Sequence, residues 1–155
     1  MPTTPKQRVR VLALAAARRE DGRLLVQRGT DPAGGAFHRL VGGGVEFGET
    51  AAEALARELH EELGTRARVG EVLVWHENLF TFAGKPGHEV VAVCEAVLDD
   101  PAVTGPDDLG RIPGTDSTVH WVPAEDVLDG PLPFHPQGVV PALRDWYARV
   151  GAPRA

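Results

Sequence analysis

The chain has 155 residues and a mass of 16.6 kDa, enough for one domain with a sizeable core, and its composition excludes wholesale disorder or a fibrous repeat. Sixteen basic and 22 acidic residues give a net charge of −6, which excludes the broad basic surface of a nonspecific nucleic-acid-binding protein. A polyanion would have to be held through a metal or a small local basic site. We expect one domain over residues 1–155, with 1–7 a flexible N-terminal tail and no nucleic-acid partner.

The only cysteine, Cys94, excludes an internal disulfide and zinc sites that need paired thiolates, and it is typical of a reducing compartment. The longest apolar stretch, 11–17, is far shorter than the ~20 residues of a membrane helix. It follows basic residues like a weak signal peptide, but it leads straight into a hairpin pattern, which favours a structural strand. We therefore expect a cytoplasmic protein without a membrane span.

Two strands, 8–16 and 23–27, are the first predicted elements. They flank Arg19-Glu20-Asp21-Gly22, and an Asp-Gly pair is typical of a tight hairpin turn. We expect these strands to pair in antiparallel fashion. The following segment, 29–35, contains too many Gly, Asp and Pro residues for regular structure and is predicted to be a surface loop, where substrate contacts often collect.

A helix is predicted to begin at Thr50, because Thr50 and Glu53 form a capping box in which each side chain bonds the other's backbone. Gly64 stands where a left-handed C-terminal cap would, so the helix should end at about Leu63. Apolar residues recur at helical spacing along one face. They are Ala52, Leu55, Ala56, Leu59 and Leu63.

The second half of the chain predicts strands over 69–82 and 89–98, joined by a hairpin loop at 83–87. The stretch 99–117 is crowded with Asp, Pro and Gly, and we interpret this long connection as a candidate lid. A short strand at 118–122 follows, and an apolar stripe predicts a last helix over 139–150, with Pro141 in its first turn. Neither a repeat nor a linker divides the chain. Hairpin-connected strands interrupted by helices favour an α/β sandwich with a mixed, largely antiparallel sheet.

The glycine-rich run at 41–50 has the glycine and threonine spacing of a phosphate-binding loop. However, Glu49 occupies the position where that loop has a lysine. A carboxylate there repels a polyphosphate unless a divalent cation neutralises the charge.

Three carboxylates suited to such a cation follow on the predicted helix. Glu58, Glu61 and Glu62 stand at i, i+3 and i+4, so they project from one side of it. Hard oxygen ligands without thiolates favour Mg²⁺, with Mn²⁺ as a second choice. The alternative is that the three glutamates form only the solvated face of an amphipathic helix.

The spacing of the polar residues resembles the signature of the Nudix hydrolase family, of the MutT-like kind, over Gly43 to Thr65. That signature is a glycine, five residues, a glutamate, seven residues, then Arg-Glu-aliphatic-any-Glu-Glu-any-Gly. The matching positions are Gly43, Glu49, Arg57, Glu58, Leu59, Glu61, Glu62 and Gly64. Thr65 departs from the aliphatic residue that the family prefers; we expect it in the following strand, where it affects packing and not chemistry. The resemblance implies an α/β/α sandwich of the Nudix type.

The resemblance also implies roles for individual residues. The implied Mg²⁺ ligands are the carbonyl of Gly42, Glu58, Glu62 and, as in many members, Glu61. Arg57 corresponds to an arginine that orients the glutamates, consistent with its ability to hold a carboxylate in a bidentate fork. Glu49 corresponds to a residue that supports the loop or contacts a second metal.

The reaction that the resemblance implies is hydrolysis of a nucleoside diphosphate linked to a group X, with water attacking phosphorus. A carboxylate outside the metal's primary shell must accept the proton of that water. We favour Glu89, although it also fits an exposed strand end; the other candidates are Glu95, His88 and His120.

Substrate specificity is set outside the signature, and the residues that mark known subfamilies are absent. Trp75 and Phe80 are candidates to stack on a base, and Arg28 and Arg39 to hold a phosphate, although each also fits a core or surface role. The main hypothesis is a pyrophosphohydrolase acting on a small nucleotide. The alternatives are a non-catalytic nucleotide-sensing module and a Nudix hydrolase of a non-nucleotide diphosphate. A homodimer is compatible with each.

Overall fold

The structure, a computed structural model, describes residues 7–151, so the predicted N-terminal tail lies outside it except for the exposed Gln7. This range contains eight strands, four α-helices and one turn of 3₁₀ helix at Gln137–Val139. The strands are β1 (Val9–Ala16), β2 (Leu24–Thr30), β3 (Ala36–Arg39), β4 (Gly42–Gly44), β5 (Arg68–Phe82), β6 (Lys85–Val97), β7 (Asp108–Arg111) and β8 (Thr118–Val122). The helices are α1 (Ala51–Leu63), α2 (Pro101–Thr104), α3 (Ala124–Leu128) and α4 (Val140–Val150).

The strands form two four-stranded sheets, in the orders β4-β1-β6-β5 and β3-β2-β8-β7. The pair β1 and β6 is parallel, and the other pairs within these sheets are antiparallel. The prediction of a mixed, largely antiparallel arrangement is therefore confirmed.

Strand β1 shows how the layers are built, because its two faces bury different helices. Ala13 belongs to the buried cluster that includes Leu59 of α1. Leu14, on the opposite face, belongs to the cluster that includes Leu143 and Trp146 of α4. Alternating side chains of one strand thus pack against helices on both sides, which makes an α/β/α sandwich.

The turn between β1 and β2 forms as predicted, but the two strands do not make the expected hairpin. The backbone N–H of Gly22 donates to the carbonyl of Arg19 at 2.9 Å, and Gly22 has a φ of +89°. Beyond an isolated bridge between Arg18 and Leu24, β1 and β2 enter different sheets. An Asp-Gly turn reverses the chain only locally, and both edges of β1 are already paired, with β4 and β6.

Helix α1 confirms its predicted bounds and caps. The hydroxyl of Thr50 accepts the N–H of Glu53 at 3.1 Å, and Gly64 ends the helix with a φ of +66°. The Glu53 carboxylate accepts from the Thr50 hydroxyl at 3.1 Å, where the capping box predicted a bond to the Thr50 backbone. The buried residues are Ala54, Leu55 and Leu59; the predicted Ala52, Ala56 and Leu63 are only half-buried.

Thr65 lies in the connection after α1 and not in the following strand, so that prediction is wrong. β5 begins at Arg68, and Thr65 is buried at 2% exposure with its hydroxyl donating to the carbonyl of Arg66 at 3.2 Å. The hydroxyl is satisfied locally, which explains how a polar residue is accommodated at an apolar position.

The hairpin of β5 and β6 is confirmed, but its loop is shorter than the predicted 83–87. Ala83 and Gly84 alone connect the strands, with φ values of +52° and +73°. Two consecutive positive φ values are typical of a two-residue type I′ turn. β6 therefore begins at Lys85, and Pro86 pairs with Thr81 near the end of the ladder.

The stretch 99–117 is not the predicted lid, because it contains α2 and β7 and packs into the core. Val103 and Ile112 are each 5% exposed, and the indole N–H of Trp121 donates to the carbonyl of Val103 at 2.8 Å. Asp100 caps α2 by accepting the N–H of Ala102 at 3.0 Å. The polar residues that suggested a loop are thus caps and turn residues of short elements.

Strand β8 and helix α4 confirm their predictions, with Pro141 in the first turn of α4. Strands β3, β4 and β7 and helices α2 and α3 were not predicted, since three to five residues contain too little periodicity. None of the helices within residues 7–151 has the length and apolar character needed to cross a membrane.

Candidate functional site

The glycine-rich strand β4 lets helix α1 approach the sheet closely. Gly43 lies opposite Ala13, on the face of the sheet that packs against α1. A Cβ added at Gly43 would overlap the carboxylate of Glu58. Gly42 has a φ of +154°, and a Cβ there would overlap the carbonyl oxygen of Ala13. A side chain at Gly43 would push Glu58 away from the strand, and one at Gly42 would collide with the backbone of β1.

Arg57 organises the acidic residues of the signature. Its Nε and Nη2 donate to the two carboxylate oxygens of Glu49 at 2.8 and 2.9 Å. Nη2 also donates to the carbonyl of Gly44 at 2.9 Å, while Nη1 reaches Glu58 at 3.1 Å and Glu61 at 3.3 Å. We call Arg57, Glu49, Glu58 and Glu61 the Arg57 clamp. It ties the loop before α1 to the acidic face of that helix.

The Arg57 clamp keeps Glu49 ionised. Hydrogen bonds from Arg57, followed by one from the backbone N–H of Glu46 at 2.9 Å, lower the pKa of Glu49 to about 2. The same bonds raise the pKa of Arg57. Both oxygens of Glu49 are thus engaged within the protein, which fits the loop-supporting role implied for this residue.

Glu62 is the signature carboxylate that the Arg57 clamp does not hold. Burial, and then the neighbouring charge of Glu58, raises the pKa of Glu62 to about 7, while the charge of Arg39 opposes the shift. Its Oε2 atom is buried and has no hydrogen-bond partner within residues 7–151. An unsatisfied buried carboxylate oxygen beside a second carboxylate requires a cation or proton.

The donor set around Glu58 and Glu62 fits a Mg²⁺ or Mn²⁺ ion. Within the described residues, there is no preformed group of three or more His, Cys, Asp or Glu side chains that could hold a metal. Two of the signature glutamates, Glu49 and Glu61, are instead engaged by Arg57. Mg²⁺ in phosphate-transferring sites uses one or two carboxylates together with substrate phosphates and water. Glu58 and Glu62 supply those two carboxylates.

Two further predicted residues, Arg39 and Glu89, face the same region. Burial lowers the pKa of Arg39, at the end of β3, and the negative charges of Glu89 and Glu62 oppose this shift. Glu89 on β6 is 8% exposed and accepts from Nδ2 of Asn78 at 3.5 Å. The interpretation of Glu89 as an exposed strand-end residue is therefore wrong, because Glu89 is buried and lies opposite Asn78 of the neighbouring strand β5.

Other predicted residues lie away from the acidic cluster. Glu95 accepts from the indole N–H of Trp146 at 2.6 Å near the opposite end of β6. Trp75 is 56% exposed on β5, and the ring of Phe80 lies over Gly87. Among the described residues, neither ring makes a ring–ring or cation–π contact with a residue of the signature.

Arg28 and His120 lie on the other sheet. Arg28 on β2 contacts His38 on β3, with Nη2 at 3.3 Å from Nε2. His120 on β8 bonds the hydroxyl of Thr118 at 2.7 Å.

Sequence reasoning missed His38 and Asn78. His38 is 2% exposed in a four-residue strand that was not predicted, so no pattern pointed to it. Asn78 lies opposite Glu89, and that register follows from the two-residue turn of the hairpin. A prediction with the correct turn length would have placed Asn78 beside Glu89.

Comparison with known proteins identifies the family of the chain. A model of the NUDIX domain family matches residues 6–145. Over 65 residues, 41% of this chain, the sequence is 42% identical to a CTP pyrophosphohydrolase of Escherichia coli (strain K12), and the match spans 48% of that protein.

The fold resembles a MutT NUDIX hydrolase from Burkholderia pseudomallei, with a TM-score of 0.60, 29% identity, and coverage of 89% of this chain and 98% of that one. A NUDIX hydrolase from Nitrosomonas europaea has a TM-score of 0.66 at 14% identity, with coverage of 94% and 93%, and supports the fold alone. The chain belongs to the Nudix hydrolase family and is MutT-like.

Proposed function

We propose that the protein is a Mg²⁺-dependent pyrophosphohydrolase that cleaves the diphosphate linkage of a nucleoside diphosphate linked to X, with Mn²⁺ as an alternative ion. The observation that carries this proposal is the Arg57 clamp, which fixes Glu58 beside Glu62 and leaves a buried oxygen of Glu62 without a partner. A solvated helix face does not need a buried carboxylate pair, because its charges are better separated in water.

In this proposal Glu58, Glu62 and the carbonyl of Gly42 hold the ion, with Glu61 as a further ligand once it leaves Arg57. The ion supplies charge neutralisation of the diphosphate and a lower pKa for the attacking water. Arg57 keeps the carboxylates oriented from the layer behind them.

Glu89 is our proposed proton acceptor for the attacking water. It is buried, and the cation of Arg39 acts on it from β3. Asn78 holds one of its oxygens at 3.5 Å and leaves the other for a water molecule.

We favour a nucleoside triphosphate as the substrate class, and the name of one relative supports this choice. The Escherichia coli relative is named a CTP pyrophosphohydrolase, and its matched segment covers 41% of this chain. Arg39, near Glu62, is the better placed of the two predicted phosphate-binding arginines for a phosphate at the metal. Trp75 and Phe80 remain candidates to stack on the base only if the substrate extends along β5.

We further propose a cytoplasmic location, supported by the buried free thiol of Cys94. A homodimer would form most readily along the edge strand β5. Trp75 and Leu79 on that strand are 56% and 72% exposed, and exposed apolar side chains on a strand edge favour association.

The test is a mass-spectrometric hydrolysis screen with Mg²⁺ or with EDTA. The panel contains canonical and oxidised nucleoside triphosphates, ADP-ribose, nucleotide sugars, dinucleoside polyphosphates and non-nucleotide diphosphates. We expect metal-dependent release of a nucleoside monophosphate, reduced about a hundredfold or more in Glu62→Gln. Glu125→Gln, a matched change at an exposed position on α3, should retain wild-type turnover.

Two results contradict the proposal. Wild-type turnover in Glu62→Gln would remove that residue from the site. Binding of Mg²⁺ and a nucleotide without hydrolysis of any panel member would favour the nucleotide-sensing module.

A further inference from the structure

A row of polar residues crosses the second sheet, apart from the acidic cluster. His38 on β3 lies opposite Arg28 on β2, Arg28 lies opposite Thr118 on β8, and Thr118 lies opposite Arg111 on β7. Directly opposite residues of antiparallel strands point to the same face. We call His38, Arg28, Thr118 and Arg111 the cross-sheet row.

His38 orients Arg28 without neutralising it. A guanidinium has only donors, so in the 3.3 Å contact between Nη2 of Arg28 and Nε2 of His38 the imidazole is the acceptor. Burial and the charge of Arg28 lower the pKa of His38, opposed by the charge of Asp126, and this keeps the ring neutral. The proton of the neutral ring then resides on Nδ1, which is buried and has no partner within residues 7–151. Arg28 is thus held in place, and among the described residues no carboxylate compensates its positive charge.

Donors outnumber acceptors along the cross-sheet row. Nε of Arg28 is also buried without a partner in the described part of the chain. Within residues 7–151, neither Arg28 nor the exposed Arg111 has a carboxylate within 4.0 Å.

The carboxylates near the row do not neutralise its arginines. Asp108 is exposed and lies 3.8 Å from Nδ1 of His120, and His120 bonds the hydroxyl of Thr118. Asp126, whose charge acts on His38, is also exposed on α3. Within residues 7–151, the row therefore presents two arginines without a carboxylate partner, one on each side of a threonine hydroxyl.

We propose that the cross-sheet row binds a phosphoryl group between Arg28 and Arg111, with His38 as the residue that positions Arg28. The Thr118 hydroxyl is the third donor when it accepts from Nε2 of His120 and turns its own proton to the phosphoryl group. Three donors on three strands match the three terminal oxygens of a phosphoryl group better than the two of a carboxylate. This subsite is separate from the carboxylate pair. The charges of Glu62 and Glu89 act on Arg39, so Arg39 lies on the face of β3 that looks toward the carboxylates. His38 precedes Arg39 in the same strand and therefore points to the opposite face. The inference depends on the proposed function in one respect, namely the identity of the molecule that carries the phosphoryl group.

The test uses metal-free protein, so that the carboxylate pair cannot retain phosphate. Inorganic phosphate is titrated into the EDTA-treated protein while NMR follows the Thr118 amide and the imidazole signals of His38 and His120. We expect a saturable shift at millimolar phosphate, with affinity reduced at least tenfold in Arg28→Gln and several-fold in Arg111→Gln. The matched control is Arg66→Gln, at an exposed arginine after α1, which should bind as the wild type does.

A second arm identifies the source of the phosphoryl group. If the substrate supplies it, a nucleoside triphosphate competes with phosphate in EDTA, and Arg111→Gln raises KM without lowering kcat in Mg²⁺. If free phosphate is the ligand, the triphosphate does not compete and KM is unchanged.

Two outcomes overturn the inference: no saturable shift in the wild type, or equal affinity in Arg28→Gln, Arg111→Gln and Arg66→Gln. Arg111 is exposed, so Arg111→Gln keeps the test valid if Arg28→Gln does not fold. Because phosphate binding is measured without metal or turnover, its failure is distinguishable from failure of the proposed hydrolysis.

Discussion

The carboxylate of Glu58 occupies the space that a side chain at Gly43 would fill. Gly43 is therefore required for contact between α1 and β4 and not for a turn. A Cβ added at the adjacent Gly44 would meet open space, and the φ of Gly44 is not positive, so the two glycines make a matched pair.

Gly43→Ala should weaken Mg²⁺ binding by about 10- to 100-fold, because the methyl group displaces the Glu58 carboxylate. Gly44→Ala should bind the ion as the wild type does. Isothermal titration with Mg²⁺ measures both variants. Equal affinities would mean that Glu58 moves at little cost or does not bind the ion.

Arg57→Lys should reduce turnover by about 10- to 100-fold while the protein stays folded, since an ammonium group lacks the planar fork that engages both oxygens of Glu49. Steady-state kinetics and circular dichroism measure the two properties. Lys retains the charge, so a wild-type rate in this variant would show that the charge of Arg57, and not its geometry, orients the carboxylates.

Leu59→Ala should lower the free energy of unfolding by about 2 to 5 kcal/mol, because its fully buried side chain leaves a cavity between α1 and the sheet. His60→Ala, at the exposed neighbouring position, should change it by no more than about 0.5 kcal/mol. Urea denaturation measures both. An equally small loss of unfolding free energy in both variants would contradict the orientation of α1 in which Leu59 faces the sheet.

Asp21 should stabilise the turn after β1 in a pH-dependent way. Its hydrogen bond with Arg19 is the largest cause that lowers the pKa of Asp21 from 3.8 to about 2. A lowered carboxylate pKa gives stability that is present above pH 3.8 and is lost as the pH falls through about 2.

The melting temperature of Asp21→Asn should therefore lie below that of the wild type at neutral pH. The difference should shrink as the pH falls through about 2 and vanish below it. The difference should be small, because Asp21 is 47% exposed and solvent screens the pair. Thermal denaturation across this pH range measures it. A difference that persists below pH 2 would assign the effect to the turn geometry and not to the ion pair.

The sequence by itself determined the features that depend on neighbouring residues. The caps at Thr50 and Gly64 fixed both ends of α1, and the spacing of the glutamates placed them on one side of that helix. The signature pattern led to the family, because its residues lie within about 20 positions of one another. Strand β8 and helix α4 were also predicted from local alternation and helical spacing.

Only the tertiary structure decided which distant strands became neighbours. The parallel pairing of β1 with β6 and the row from His38 to Arg111 join residues that lie far apart in sequence. Strand pairing depends on which edges and apolar faces remain available after the rest of the chain has packed. Local patterns contain no information about that competition, so the turn at Asp21-Gly22 was predicted correctly while the sheet that each flanking strand joins was not.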